Sequence, residues 1–145
     1  MNSMSECRIY LSGGMSGLSL EEQTKWRDKI INAIKFGDYE YRKNVSFFNP
    51  PTFFNYEVQK QKTEKEVMEY ELNELRHSDL VVVNFNSPKS IGTAMELMCA
   101  YENRIPIVGL NIDNSELHPW LSEQCIRICD NIRELVEYIV NFYLQ

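Results

Sequence analysis

Short apolar runs alternate with longer amphipathic segments along the chain. Five runs have the length and composition of strands: Cys7–Ser12, Val45–Phe48, Asp79–Phe85, Ile105–Leu110 and Cys125–Ile128. Between and after them lie four segments with the helical repeat: Ser19 to Gly37, Thr63 to about His77, Ile91 to Asn103, and Asp130 or Asn131 to about Tyr143. The alternation predicts an α/β fold with one doubly wound, five-stranded parallel sheet, flavodoxin-like order 2-1-3-4-5, and helices on both faces.

Local signals support these boundaries. Ser19 and Glu22, and likewise Thr63 and Glu66, have the spacing of capping boxes, and Gly37 is a plausible helix stop. The unbroken apolar run at 80–83 is typical of a strand that is covered on both faces. The first helix should present an apolar face made of Leu20, Trp26, Ile30, Ile31 and Ile34.

Length and composition exclude several classes of protein. The 145 residues fit one domain that spans 1–145, and the 43% hydrophobic content is enough for a core. A formal net charge of −6 argues against binding to a nucleic-acid polymer, although it leaves room for a small phosphorylated ligand. We see neither a signal peptide nor an apolar run of the roughly 18 residues that a membrane span needs, so we expect a cytoplasmic protein.

The cysteines and histidines do not predict a metal site. Cys7, Cys99, Cys125 and Cys129 form no CxxC pair, and the two histidines, His77 and His118, do not complete a zinc spacing. We expect four buried thiols in a reducing compartment.

Candidate chemistry lies in two loops that should meet at the switch point of the sheet, past the carboxyl ends of strands 1 and 3. The first loop, 13–18, contains Gly13, Gly14 and Gly17, and could bring backbone N–H groups close to an anion ahead of a helix. A tight turn that needs glycine explains the same residues equally well. The second loop, 86–93, leads into a helix that carries Glu96.

Glu96 has two interpretations. Small residues at Gly92, Thr93 and Ala94 leave room for a ligand, and an ionised carboxylate near the first turn of a helix could attack an anomeric carbon. Alternatively, Glu96 is the third-position partner of Thr93 in a capping box, which the spacing alone slightly favours.

Other acidic residues are less informative. Glu71 lies near the middle of the second long helix, among glutamates that mostly suit a solvated face. Asp79 begins a strand and should lie at the opposite end of the sheet, as a turn residue.

Three stretches of the chain resemble the nucleoside 2-deoxyribosyltransferase superfamily, which includes the 2'-deoxynucleoside 5'-monophosphate N-hydrolases. They are IYLSGGMSG at 9–17, YELNELRHSDLVVV at 70–83 and SIGTAMELMCA at 90–100, and the third is the most specific. They follow the order of the family along most of the domain.

The resemblance implies roles for individual residues. Glu96 matches the nucleophilic glutamate of the family, Tyr10 matches a tyrosine near it, and Glu71 stands where the family usually has a second carboxylate, an aspartate. Ser90 matches a serine that contacts phosphate in the monophosphate hydrolases and an aspartate in many transferases.

The same resemblance assigns the surroundings of the site. Gly13, Gly14, Ser16 and Gly17 would form the phosphate loop, with Ser16 in place of an arginine of the hydrolases, and Gly92 would line the substrate site. Ser122 is a candidate for the serine that a neighbouring subunit contributes to some hydrolase sites.

The implied activity is cleavage of an N-glycosidic bond through a covalent intermediate on Glu96, without metal or organic cofactor. Ser90 favours a nucleotide hydrolase slightly over a transferase, and a non-catalytic nucleotide-binding module is the alternative from another class. The partner is a small nucleoside or nucleotide. We also expect a homo-oligomer, at least a dimer, because the family forms them. The aromatic stretch Phe47–Tyr56 either supplies contact surface or covers one end of the core.

Overall fold

The structure is a computed structural model that describes residues 5–15, 17–53 and 62–145. Its five strands all run parallel in the order β2-β1-β3-β4-β5, which confirms the predicted α/β fold and strand order. The strands are β1 (Glu6–Gly13), β2 (Asn44–Phe48), β3 (Leu80–Asn84), β4 (Ile107–Leu110) and β5 (Arg127–Cys129). All residues of β3 are buried, as its unbroken apolar run predicts.

Four long helices connect or follow the strands, and two short ones were not predicted. The helices are α1 (Leu20–Phe36), α2 (Pro50–Phe53), α3 (Glu64–Arg76), α4 (Ile91–Glu102), α5 (Pro119–Glu123) and α6 (Ile132–Tyr143). Both α2 and α5 begin with a proline, a residue suited to the first turn, but they are too short to show a helical repeat. Among the described residues, no helix combines the length and apolarity that crossing a membrane requires.

The sheet separates two apolar clusters. On one face, Leu80 and Val82 of β3 belong to a cluster that includes residues of α1 and α6. On the other face, Val81 and Val83 belong to a cluster with Leu75 of α3 and residues of α4. Because successive strand residues point to opposite faces, one strand serves both clusters. The predicted helices on both faces are therefore confirmed.

The first helix differs from its predicted face. Leu20 is 53% exposed, whereas Gln23 and Arg27 are buried together with Trp26, Ile30 and Ile34. Leu20 is the first residue of the helix, right after the Ser19 cap, and the buried face begins with Gln23 in the same turn. The Ser19–Glu22 capping box is present in both directions.

Two further predictions need correction. At the start of α3, Thr63 accepts a hydrogen bond from the Glu66 N–H, but the Glu66 carboxylate accepts from the Lys62 N–H rather than from the cap residue. The four cysteines are free, and only Cys7 and Cys129 are buried, while Cys99 and Cys125 are partly exposed. Both pack against the border of the apolar cluster that contains Val81 and Val83, where they are only partly covered.

Strands β1 and β3 lie side by side, and the connections after them lead to opposite edges of the sheet. Their following loops therefore diverge and leave a crevice at the carboxyl ends of the strands. The loops are tied together where the Gly14 N–H donates to Asn86 Oδ1 over 3.1 Å. At the other end, the Asp79 carboxylate accepts the Arg8 N–H over 2.8 Å, in agreement with the turn role expected of Asp79.

Candidate active site

A cavity of about 510 Å³ opens at this crevice, between the loops after β1 and β3 and the helices α3 and α4. Both candidate carboxylates, Glu71 and Glu96, lie on its wall. The remaining lining residues come from the two loops, from α3 and from the first turn of α4: Gly13, Met15, Val67, Ser87, Lys89, Ser90, Ile91, Gly92 and Thr93. A cavity of this size lies within the range of small-molecule sites.

Glu96 is the sixth residue of α4, in its second turn, because Ser90 rather than Thr93 caps the helix. The Ser90 hydroxyl accepts the Thr93 N–H over 3.3 Å and the Thr93 hydroxyl over 3.0 Å. The expectation that Glu96 lies near the first turn is therefore wrong by one turn, and the helix dipole contributes little there. The same geometry excludes the capping-box role of Glu96, which would require Thr93 as the cap.

The Glu96 carboxylate is enclosed among hydroxyl groups of β1. Its Oε2 atom is buried and makes no hydrogen bond of regular geometry within the described part of the chain, and the same holds for the Tyr10 and Ser12 hydroxyls. Those two hydroxyls nevertheless interact with Glu96 closely enough to lower its pKa. Tyr10 and Ser12 face it together because they are two residues apart on one strand. Tyr10 is further fixed by stacking on Phe48, with ring centroids 5.1 Å apart.

Burial dominates the electrostatics of Glu96. Desolvation raises its pKa from 4.5 to about 8, and the charge of Glu71 raises it further, whereas the Tyr10 and Ser12 hydroxyls and the charge of Arg27 lower it. Burial and the neighbouring Glu96 and Glu71 raise the pKa of Tyr10 well above its ordinary value, so this hydroxyl keeps its proton as a donor.

Glu71 is the glutamate of α3 that faces the cavity. Desolvation raises its pKa to about 7, with Arg27 acting in the opposite direction. The other glutamates of this helix behave as a solvated face: Glu64, Glu66 and Glu69 are exposed, and Glu74 pairs with Arg8. A carboxyl group that titrates near neutral pH can both give and take a proton under physiological conditions.

Arg27 is a residue near the site that the sequence analysis missed. Its side chain is fully buried, and its charge interacts with Glu96, Tyr10 and Glu71. The signal was present in the sequence, because Gln23 and Arg27 fall on the same helical face as Ile30 and Ile34. A polar residue at such a position must find buried partners, and this requirement could have marked it.

The glycine loop combines structural and cavity-lining roles. Gly13 lines the cavity, and a Cβ on it would lie 2.6 Å from the Trp26 ring. A Cβ on Gly14 would lie 2.5 Å from Ser87 Cβ. The Gly14 N–H donates to Asn86 Oδ1, so it is not free to bind a phosphate. Gly17 has a positive φ of 78°, which glycine adopts readily. Ser16 lies outside the described residues.

Two of the remaining predicted site residues lie at the start of α4, and the third lies in α5. Ser90 lines the cavity next to Lys89, and its hydroxyl hydrogen stays available to a ligand because both of its bonds within the helix are accepted ones. Gly92 lines the cavity as well, and a Cβ on it would meet no atom within 4 Å. Ser122 does not line this cavity; its hydroxyl donates to the Pro119 carbonyl over 3.0 Å in α5.

The protein thus belongs to the doubly wound α/β class, with two carboxylates on the wall of a cavity at the switch point of its sheet. The family described as "Nucleoside 2-deoxyribosyltransferase like" matches residues 6–113, and the chain belongs to this family. The predicted superfamily is thereby confirmed, and the predicted class of enzyme agrees with it. A search of the curated proteins found no match.

Solved structures with the same fold include three of interest. A conserved protein from Enterococcus faecalis V583 is 17% identical, with a TM-score of 0.73 over 94% of this chain and 98% of that one. The 2-deoxyribosyltransferase of Bacillus psychrosaccharolyticus is 15% identical, with a TM-score of 0.71 over 91% and 92%. The CMP N-glycosidase of Clostridium botulinum is 14% identical, with a TM-score of 0.57 over 94% and 99%. At these low levels of sequence identity, the similarity shows a shared fold.

Proposed function

We propose that this protein breaks the N-glycosidic bond of a 2'-deoxynucleoside or its 5'-monophosphate through a covalent sugar ester on Glu96. The observation that carries the proposal is the enclosed Glu96 Oε2, which lies without a regular hydrogen bond from the described residues on the wall of a cavity that also holds Glu71. Burying a carboxylate costs stability, and functional sites are where such costs are retained. Membership of the family supports the same chemistry.

The two carboxyl groups have the roles they have in retaining glycosidases: Glu96 is the nucleophile, and Glu71 is the general acid and base. In the first step, ionised Glu96 attacks C1' of the sugar while the C1'–N bond breaks, and the leaving base takes the bonding electron pair and a proton from Glu71. In the second step, water loses its proton to Glu71 and attacks C1', which releases the sugar and restores the Glu96 carboxylate. Tyr10 orients Glu96 by donating its hydroxyl hydrogen.

The second step decides between hydrolase and transferase. A base that enters the cavity in place of water would take the sugar and give a new nucleoside. We favour the hydrolase with a 5'-monophosphate substrate, because Ser90 offers a donor at the start of α4 and the Lys89 ammonium lies beside it on the cavity wall. The fold is shared with both a 2-deoxyribosyltransferase and a CMP N-glycosidase, so the transferase is the second candidate.

A homo-oligomer belongs to the proposal as well. Phe47 and Phe48 of the aromatic stretch pack inward, while residues 54–56 lie outside the described part of the chain. Large exposed apolar side chains instead border a groove between α4 and α5, among them Ile91, Met95 and Trp120. We propose that a second copy covers this groove, which α5, the helix that carries Ser122, borders.

The experiment is an incubation of the protein with a panel of nucleosides and 5'-monophosphates, with and without a free acceptor base, followed by chromatography. Free base released without acceptor identifies a hydrolase, and exchange of bases identifies a transferase. If neither occurs while a nucleotide still binds, the protein is a non-catalytic nucleotide-binding module and the proposal is wrong.

A further inference from the structure

Among the described residues, the buried guanidinium of Arg27 forms no ion pair with a carboxylate. Its residue exposure is 0%, and the two ion pairs found in the described part of the chain involve Arg8 and Arg133 instead. Burying a cation is costly unless it is compensated. The compensation here comes from three backbone carbonyl groups and from the face of the Trp26 ring, whose centroid lies 4.5 Å from the guanidinium carbon.

Two of those carbonyls belong to the last residues of β1. Arg27 Nε donates to the Leu11 carbonyl over 3.3 Å, and Nη2 donates to the Gly13 carbonyl over 3.4 Å. The pairing of β2 with β1 ends where Phe48 meets Tyr10, so these carbonyls lie beyond the end of the neighbouring strand. Arg27 therefore donates hydrogen bonds to β1 where β2 no longer pairs with it.

The residue between the two carbonyls is Ser12, whose hydroxyl interacts with Glu96. The two donors of Arg27, Nε and Nη2, form a fork that holds the backbone on both sides of Ser12. Holding this backbone fixes the direction of the Ser12 side chain and that of Tyr10, two residues earlier on the strand. The guanidinium also carries a full charge inside the protein, and this charge acts on Glu96 and Glu71.

We propose that Arg27 is a positioning residue of this site: it holds the end of β1 against Glu96 and supplies the buried positive charge that favours the ionised carboxylates. The proposal rests on the proposed function for its kinetic consequences. The third bond, from Nη1 to the Gln23 carbonyl, anchors the guanidinium to its own helix and leaves the fork pointing at β1.

The charged groups around the site set the direction of the pH effect. Glu96 on α4 and Glu71 on α3 are acted on by Arg27 from α1, with Tyr10 on β1, Glu64 on α3 and Lys89 on the cavity wall as further titratable neighbours. Arg27 lowers the pKa of both carboxyl groups. Its loss should therefore move both titrations to higher pH.

The test compares pH profiles of kcat/KM for wild type, Arg27→Gln, Arg27→Met and Arg27→Lys. We expect both limbs of the profile to move to higher pH in the two neutral variants. In Arg27→Lys the limbs should stay in place because the charge remains, while kcat falls several-fold because one ammonium cannot reproduce the fork. Arg8→Gln is the matched control, since it removes an arginine from the other end of β1, and its limbs should not move.

A second readout does not depend on turnover. The side-chain carboxyl resonances of Glu71 and Glu96 can be titrated by ¹³C NMR without substrate and assigned by their loss in Glu→Gln variants. An upward shift in the neutral variants supports the role of Arg27 even if no substrate is found, in which case only the proposed function fails.

The proposal is overturned if the limbs and the NMR titrations of the neutral variants stay at their wild-type positions, whatever happens to the rate. Should neither neutral variant fold, Arg27→Lys decides. A lowered kcat with unmoved limbs supports the proposal, and a wild-type kcat refutes the positioning role.

Discussion

Replacing Glu96 by glutamine separates catalysis from stability in one variant. The amide has the size of the carboxylate and can bond to the Tyr10 and Ser12 hydroxyls, but it carries no charge. Because Ser90 caps α4, the substitution removes no helix cap. Any loss of activity in a folded variant then reports on the charge of the side chain.

The structure gives a sign and a magnitude for the stability effect. Glu96 ionises near 4.5 in an unfolded chain, whereas burial raises its pKa to about 8 in the folded protein. Between pH 4.5 and pH 8 the folded protein therefore keeps the Glu96 proton, whereas the unfolded chain has lost it. The contribution of Glu96 to the free energy of unfolding is thus lost as the pH rises through this range. At about 1.4 kcal/mol per pKa unit, wild type should lose up to about 3.5 kcal/mol relative to Glu96→Gln between pH 5 and pH 8. Partial access of water lowers our expectation to about 1–3 kcal/mol.

The assay is urea denaturation at pH 5 and pH 8, together with the release of free base. We expect Glu96→Gln to be the more stable protein at pH 8, with a smaller difference at pH 5, and to lose turnover by a factor on the order of 10³ or more. Glu69→Gln is the control, because Glu69 lies exposed on α3 and should affect neither quantity. A variant that is less stable at both pH values, or one with near-normal turnover, would refute the reasoning.

The remaining predictions concern pH, phosphate, space and assembly. The profile of kcat/KM should be bell-shaped with its maximum near pH 7.5, between the pKa values of about 7 for Glu71 and about 8 for Glu96, and an optimum near pH 5 would contradict it. Ser90→Ala should weaken binding of a 5'-monophosphate by about 1.5–3 kcal/mol in calorimetry and leave nucleoside binding nearly unchanged; equal losses would mean that Ser90 only caps the helix. Gly92→Val should raise KM without lowering the thermal midpoint, because its Cβ points into open space, and an unchanged KM would exclude Gly92 from the substrate site. Light scattering at micromolar concentration should report at least a dimer rather than a monomer.

The fold could be predicted because its signals are local. The buried run of β3, the capping box at Ser19 and the alternation of strands with helices each depend on a few neighbouring residues. The short helices α2 and α5 could not be predicted, since their four and five residues complete little more than one turn and show no repeat.

The candidate site was predicted only in part, because its parts come from different elements. Glu96 stands out from its own neighbours in the sequence, whereas Glu71 and Tyr10 follow from the resemblance; the structure brings all three together at the switch point. Arg27 was missed, since its partners are carbonyls of β1 that become available only where β2 ends. The raised pKa values follow from burial, which the spacing of residues along the chain does not reveal.

The covalent sugar ester on Glu96 is the central claim, and a slow substrate with a fluorine at C2' tests it most directly. Fluorine destabilises the positive charge that develops at C1', so the ester should accumulate when a good leaving base drives its formation. Peptide mass spectrometry should then find the fluorinated glycosyl group on the peptide that contains Glu96, and no adduct on Glu96→Gln. Release of the base without any adduct, or an adduct on Glu71 instead, would contradict the account.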